Sequence, residues 1–150
     1  MIGKSPVVIP ISLDLVWNNP TENILRMDQA LSLRLANGRE TDHLFRIAIF
    51  PELTLTAFVT QSPGLVALDE QSQLLEKVRL LAKKHQCHIV YGYPQVNARN
   101  AEKPYNCLEC VSPEGTVLGQ YLKVHLFPVG KNPEKENYSS GSGPLVIDIQ

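Results

Sequence analysis

The chain has no excess of either charge. Among its 150 residues, 14 basic side chains stand against 15 acidic ones, a formal net charge of −1. Without a basic field the electrostatic case for nucleic-acid binding fails. Long apolar runs are missing as well. No stretch approaches the roughly 20 residues that a membrane helix needs. Met1 to Pro10 lacks the basic start and long apolar centre of a secretory signal, so a cytoplasmic protein is expected. Cysteine is scarce. Three residues, odd in number and scattered, read as reduced thiols and not as a disulfide framework. Internal repeats are absent, as are a Gly-x-Ser-x-Gly elbow and a phosphate loop: Gly141-Ser142-Gly143 lacks the following Lys-Ser/Thr. With 43% hydrophobic and 19% charged residues the chain is not disordered, and its length suits one core.

Proline is plentiful, eleven in all, which favours short elements punctuated by turns. Val7 to Leu15 is apolar and β-branched and predicts a strand. Pro10 inside it removes a ladder donor, so the strand is either at an edge or shorter than the pattern. Asn19-Pro20-Thr21-Glu22 is a helix start, with Asn19 as cap, Pro20 in the first turn and Glu22 able to reach back. Ile24, Met27, Leu31 and Leu35 then share a face, and Asn37-Gly38 is a fitting stop. Arg39 to His43 reads as a charged loop. Ile47 to Phe50, ended by Pro51, looks like a strand buried on both faces. Gln61 to Gly64 turns and Asp69 opens a second helix, with Leu74, Val78 and Leu81 on one face and Lys83-Lys84-His85 at its C-terminus. Cys87 to Tyr93 is the next strand. Tyr105 to Val111, the Ser112-Pro113-Glu114-Gly115 turn and Thr116 to Val124 form a hairpin. Pro128 to Pro144 is a long loop, and Leu145 to Ile149 begins another strand. Helices interleaved with strands predict layered α/β architecture. A strand at the very end leaves an unpaired edge, so the sequence looks cut short.

Three carboxylates and a lysine stand out. Glu52 follows Ile-Ala-Ile-Phe-Pro directly, at the C-terminal end of a strand where α/β sheets place ligands. Partial burial there suits a general base; taken alone, such a glutamate is more often a solvated charge. Lys123 sits among large apolar neighbours and, if turned inward, needs an acidic partner or an anion. Glu134 and Glu136 lie in the long loop, and such loops are often functional. The cysteines promise less. Cys107-x-x-Cys110 resembles a metal half-site, but a spacing of three puts the two on opposite faces of a strand, and no second pair follows. His85, Cys87 and His88 crowd a helix-strand junction without an evident fourth ligand.

Taken together, these segments resemble the nitrilase, or carbon–nitrogen hydrolase, superfamily. Phe50-Pro51-Glu52-Leu53-Thr54-Leu55-Thr56-Ala57-Phe58 is similar to its glutamate motif. Pro104-Tyr105-Asn106, the Ser112 to Gly115 turn, and Gly119 to Phe127 around Lys123 resemble its lysine motif and the hairpin leading into it. Glu134, Tyr138 and Gly141 match a later pattern. Ala57 for the usual glycine and Leu122 for the common arginine are departures.

The resemblance implies part of a four-layer α-β-β-α sandwich, with residues 1–150 as the N-terminal portion of one catalytic domain. It implies hydrolysis of non-peptide carbon–nitrogen bonds in small amides, carbamoyl compounds or nitriles, without metal or organic cofactor. A cysteine thiolate attacks, Glu52 serves as base, Lys123 stabilises the oxyanion and Glu134 holds the constellation, with Glu136 the alternative second glutamate. Convergence of Glu52 and Lys123 is expected at the C-terminal ends of neighbouring strands. The family's nucleophile follows the strand at which this sequence stops, and none of Cys87, Cys107 and Cys110 has its context. The chain alone is therefore expected to be inert, and the complete form to be a homo-oligomer. Transfer of the acyl group to an amine stays open beside hydrolysis. So does a different class of function, a truncated non-catalytic paralogue that binds a full-length relative.

Overall fold

The computed structural model describes residues 6–35, 45–59, 71–131 and 133–149. The described elements run β1 (Pro6–Pro10), α1 (Pro20–Leu35), β2 (Phe45–Ile49), α2 (Gln71–His85), β3 (His88–Gln95), β4 (Tyr105–Val111), β5 (Val117–Leu122) and α3 (Glu134–Asn137). The five strands form one sheet in sequential order. β1, β2 and β3 are parallel, and β4 and β5 continue as antiparallel neighbours. Two crossovers of the usual right hand put α1 and α2 on the same face of such a sheet. The core agrees with this placement. Met27 and Leu31 of α1 and Val78 and Ala82 of α2 cluster with Ala48, Ile89, Tyr91 and Cys107 of the sheet.

Local chemistry explains the helix ends. The Asn19 side chain accepts the Glu22 N–H at 3.1 Å, as a cap should. Glu22 does not reach back; its carboxylate takes the Arg26 guanidinium at 3.0 Å. Ile24, Met27 and Leu31 are buried as their spacing predicts, and Leu35 is half-buried. At the far end of α2, Asp28 of α1 holds both Lys84 (2.7 Å) and His85 (2.6 Å), which ties the two helices together. His88 instead packs on the Phe45 ring. Beneath α2 the sheet carries a polar node. Glu109 is fully buried and accepts from Tyr91, Tyr93 and Gln120 at 2.7, 3.2 and 2.6 Å.

The reservation about Pro10 holds on both counts: the first strand stops there, and among the described strands it lies at the sheet edge, where its missing donor is tolerated. Three other expectations are corrected. β2 is buried on one face only: Ala48 is inaccessible, while Ile49 is 38% exposed. The reason is that both helices cover the same side, so Val8 and Leu108 on the other side are also open. The loop from Pro128 to Pro144 contains the short helix α3. Leu145 to Ile149 has no ladder partner among the described residues; Leu145 and Ile147 lie instead against Gly119 of β5. The stop at Asn37-Gly38, the Arg39 to His43 loop, the turn at Gln61 to Gly64 and the start at Asp69 fall outside the described residues.

Candidate active site

The ladder of β2 runs on to Phe50, whose N–H donates to the Val90 carbonyl at 2.9 Å. Pro51 then ends the pairing and the chain turns. Leu53 takes a left-handed conformation (φ 49°) and the Thr54 hydroxyl donates to the Pro51 carbonyl. The turn crosses over β3 at Gly92, where the Leu55 N–H meets the Gly92 carbonyl at 3.2 Å. A Cβ on Gly92 would lie 2.5 Å from the Leu53 nitrogen, so only glycine permits the crossing. From the helical layer, the buried Asn23 amide donates to the Leu55 carbonyl at 3.0 Å and clamps the far side of the turn.

Lys123 is the first residue beyond β5. Its N–H donates to the Asn106 carbonyl and its carbonyl accepts the Gly141 N–H, both at 2.9 Å. Gly141 presses on the Leu122 carbonyl with no room for a side chain. Glu134 opens α3, and the same short helix carries the chain into Tyr138, whose hydroxyl donates to the Val59 carbonyl at 2.8 Å.

These elements bring three of the four candidate residues together. The Lys123 Nζ lies 2.7 Å from Glu52 Oε1 and 2.9 Å from Glu134 Oε2. Glu134 is wholly buried, while the side chains of Lys123 and Glu52 are 27% and 50% exposed. The Phe127 N–H donates to Glu134 Oε2 at 2.8 Å. Glu136 points elsewhere and is exposed, because one turn of helix cannot present both glutamates to one lysine. The expectation that Glu52 and Lys123 follow neighbouring strands is corrected. β3 and β4 lie between β2 and β5, and the turn over Gly92 spans that gap.

Electrostatics follow from the contacts. Burial pushes the Glu134 carboxyl up, but the Asn106 amide, the Phe127 N–H and Lys123 outweigh it and leave the pKa below the ordinary value. Burial pulls the Lys123 ammonium down, and its hydrogen bonds to Glu52 and Glu134 more than restore it, so its pKa is raised. Of the three ammonium donors, two are engaged, and among the described residues the third has no partner. The site thus holds a charged ammonium with one donor to spare beside a half-exposed carboxylate. Such a set can stabilise a developing oxyanion and move a proton.

One site residue escaped the sequence reading of roles. Asn106 donates to Glu52 Oε1 at 2.6 Å and to Glu134 Oε1 at 2.7 Å. Its place as the second residue of β4, in the Pro104-Tyr105-Asn106 segment, was the available signal. The cysteines sit badly for nucleophiles. Cys107 lies in the helix-side core and Cys110 outside that cluster, as the spacing of three predicts. Burial pushes the Cys107 thiol up to about 12 and the Cys87 thiol up to about 11, and raises Cys110 as well.

The sheet thus passes from parallel to antiparallel and carries a carboxylate–lysine–carboxylate set at its C-terminal edge, and comparison with known proteins gives the fold a family. The sequence pattern of the family described as carbon-nitrogen hydrolase matches residues 9–149, and the chain belongs to that family. It is 26% identical over 117 residues to a 2-oxoglutaramate amidase of Bacillus subtilis, covering 78% of this chain and 42% of that protein. An amidase of Nesterenkonia sp. AN1, as a cysteine-to-alanine mutant in complex with butyramide, superposes with a TM-score of 0.76 at 21% identity, covering 95% of this chain and 51% of that one. The C. elegans NitFhit protein superposes at 0.71 with 20% identity, over 90% of this chain and 32% of that one. The chain therefore spans between about a third and about half of the length of these relatives, and its fold is part of their nitrilase-type sandwich. Among the described residues no helix is long and apolar enough to cross a membrane.

Proposed function

We propose that Glu52, Lys123 and Glu134 are three of the four groups of a cysteine-dependent hydrolase of non-peptide carbon–nitrogen bonds. The observation that carries this reading is the single Lys123 Nζ held within 2.9 Å of both carboxylates. Glu52, half open to solvent, takes the thiol proton as base and returns it to the departing amine. The thiolate attacks the carbon, and the spare donor of Lys123 meets the oxyanion that forms. Ammonia leaves, water attacks the thioester, and the acid departs with the thiol restored. Glu134, buried and saturated with donors, keeps the ammonium charged and in place. The thiol comes from a segment beyond Gln150, since Cys87, Cys107 and Cys110 are buried with raised pKa values. The substrate class is a small amide, carbamoyl compound or nitrile. The amidase relatives support this choice, and so does a mutant of the Nesterenkonia enzyme with acrylamide added at its active-site cysteine.

The test begins with the mass of the native protein and ammonia release from a panel of small amides. Turnover should require a form longer than residues 1–150, be blocked by iodoacetamide, and be lost in Glu52→Gln and Lys123→Met. Thiol-sensitive turnover by the 150-residue chain, abolished at one of its own cysteines, overturns the placement of the nucleophile. A native mass of 150 residues, no turnover, and co-purification with a longer relative would replace the enzyme by the binding paralogue.

A further inference from the structure

We propose that Asn106 is the positioning residue of this site, the one group that orients all three charged residues at once. It is the second residue of β4, with 4% of its surface exposed. Its single Nδ2 donates one hydrogen to Glu52 Oε1 at 2.6 Å and the other to Glu134 Oε1 at 2.7 Å. Its backbone carbonyl accepts the Lys123 N–H at 2.9 Å. No other described side chain bridges the two carboxylates without carrying charge. The amide orientation follows from the partners: turned over, its oxygen would face two carboxylate oxygens, with no donor between them.

Each carboxylate is sorted by these bonds. Glu52 Oε1 receives both Asn106 and Lys123. Among the described residues Oε2 of Glu52 has no hydrogen-bond partner, so Asn106 decides which oxygen is left for proton transfer. Glu134 is treated differently. Its Oε1 takes Asn106, its Oε2 takes Lys123 and the Phe127 N–H, and nothing is left to react. One neutral amide thus makes one glutamate a free base and the other a fixed counter-charge. The residue type is demanding. Aspartate would bring a third carboxylate within hydrogen-bond distance of two others, leucine offers no donor, and glutamine is longer by one methylene. The catalytic meaning rests on the reading of the site given above; the hydrogen-bond roles do not.

The test is NMR on the native protein at its own full length, and it needs no turnover. In the unsubstituted chain both Asn106 side-chain amide protons should lie downfield of free amide and exchange slowly. The Glu134 carboxyl, followed by carbon-13, should titrate below ordinary glutamate. In Asn106→Leu the Glu134 titration should move up. In Asn106→Asp it should move up further, because a third negative charge is added. Free-amide shifts and fast exchange in the unsubstituted chain overturn the proposal, as does an unmoved Glu134 in a folded Asn106→Leu variant. If that variant fails to fold, the amide measurement decides by itself. In a longer, active form Asn106→Leu should lower kcat about 100-fold with KM changed far less, as misplacement of a catalytic group does. Shifted carboxylates in a protein with no turnover in any form would sink the hydrolase reading and leave the role of Asn106 standing.

Discussion

Ala57 closes the turn that carries Glu52, and it does so at φ 58°. That conformation costs an L-residue about 1–2 kcal/mol, while glycine adopts it freely at some entropic cost in the unfolded chain. Ala57→Gly should therefore stabilise the protein by about 0.5–1 kcal/mol, read as a higher urea midpoint with unchanged slope. The same geometry accounts for a motif that usually has glycine there. Glu134 offers a second expectation at this scale. Its native pKa is depressed, so the stability it contributes is present above the unfolded value of about 4.3 and is lost as pH falls through the native one. Asp28 is depressed too, so acid alone does not isolate Glu134. Comparison with Glu134→Gln does. The variant should be less stable at pH 7 by about 1–3 kcal/mol, because its amide meets the donors of Asn106 and Phe127, and the gap should close as the pH is lowered to 3. A gap that is the same at both pH values would show that Glu134 is not ionised in the fold.

Among elements, the turn over β3 matters most. Glu52 reaches Lys123 only because residues 52–56 lie flat on Gly92. Gly92→Ala would set a methyl carbon 2.5 Å from the Leu53 nitrogen, where backbone and not a flexible side chain must give way. The expected cost is about 1–3 kcal/mol, as for other overpacked sites. The larger effect should be on the site, where the Glu52 to Lys123 ion pair is lost although both residues remain. The nitrogen-15 shift of the Lys123 ammonium in the variant reads this directly; an ammonium signal unchanged from the parent would mean that the turn adapts. This contact was not legible beforehand. Gly92 looked like a glycine inside an apolar strand, and nothing in Cys87 to Tyr93 says what crosses above it. The helices were legible, because the spacing of Ile24, Met27 and Leu31, and of Leu74, Val78 and Leu81, records which side is buried, although Leu74 is only half-buried and its neighbour Leu75 is covered.

For the whole molecule, the one-sided cover of the sheet is the controlling fact. Val8, Ile49 and Leu108 are exposed on the face away from α1 and α2, and Leu145 and Val146 stand open beside it. Burying one such side chain is worth roughly 1.5–3 kcal/mol, and a domain is stable by about 5–15 kcal/mol. A handful of uncovered residues is then comparable with the whole margin. The 150-residue chain should bind an apolar-surface dye and self-associate, with a broad thermal transition. Leu108→Lys should reduce association without removing the helical signal. A monomer with a sharp transition and no dye binding would show that this face tolerates water.

The amino-acid sequence by itself determined the family motifs, the hairpin, the buried stripes of α1 and α2, and the residue types at the site. Each of these is encoded within a few residues, as a period, a cap or a turn. Only the tertiary structure decided that Glu52 spans two strands to reach Lys123, that Glu134 and not Glu136 turns inward, and that Asn106 links them. Those contacts join residues 71, 28 and 54 positions apart. They depend on strand order and on backbone approach at Gly92 and Gly141, and no local pattern specifies either, because periodicity states which face is buried and not what is buried against it.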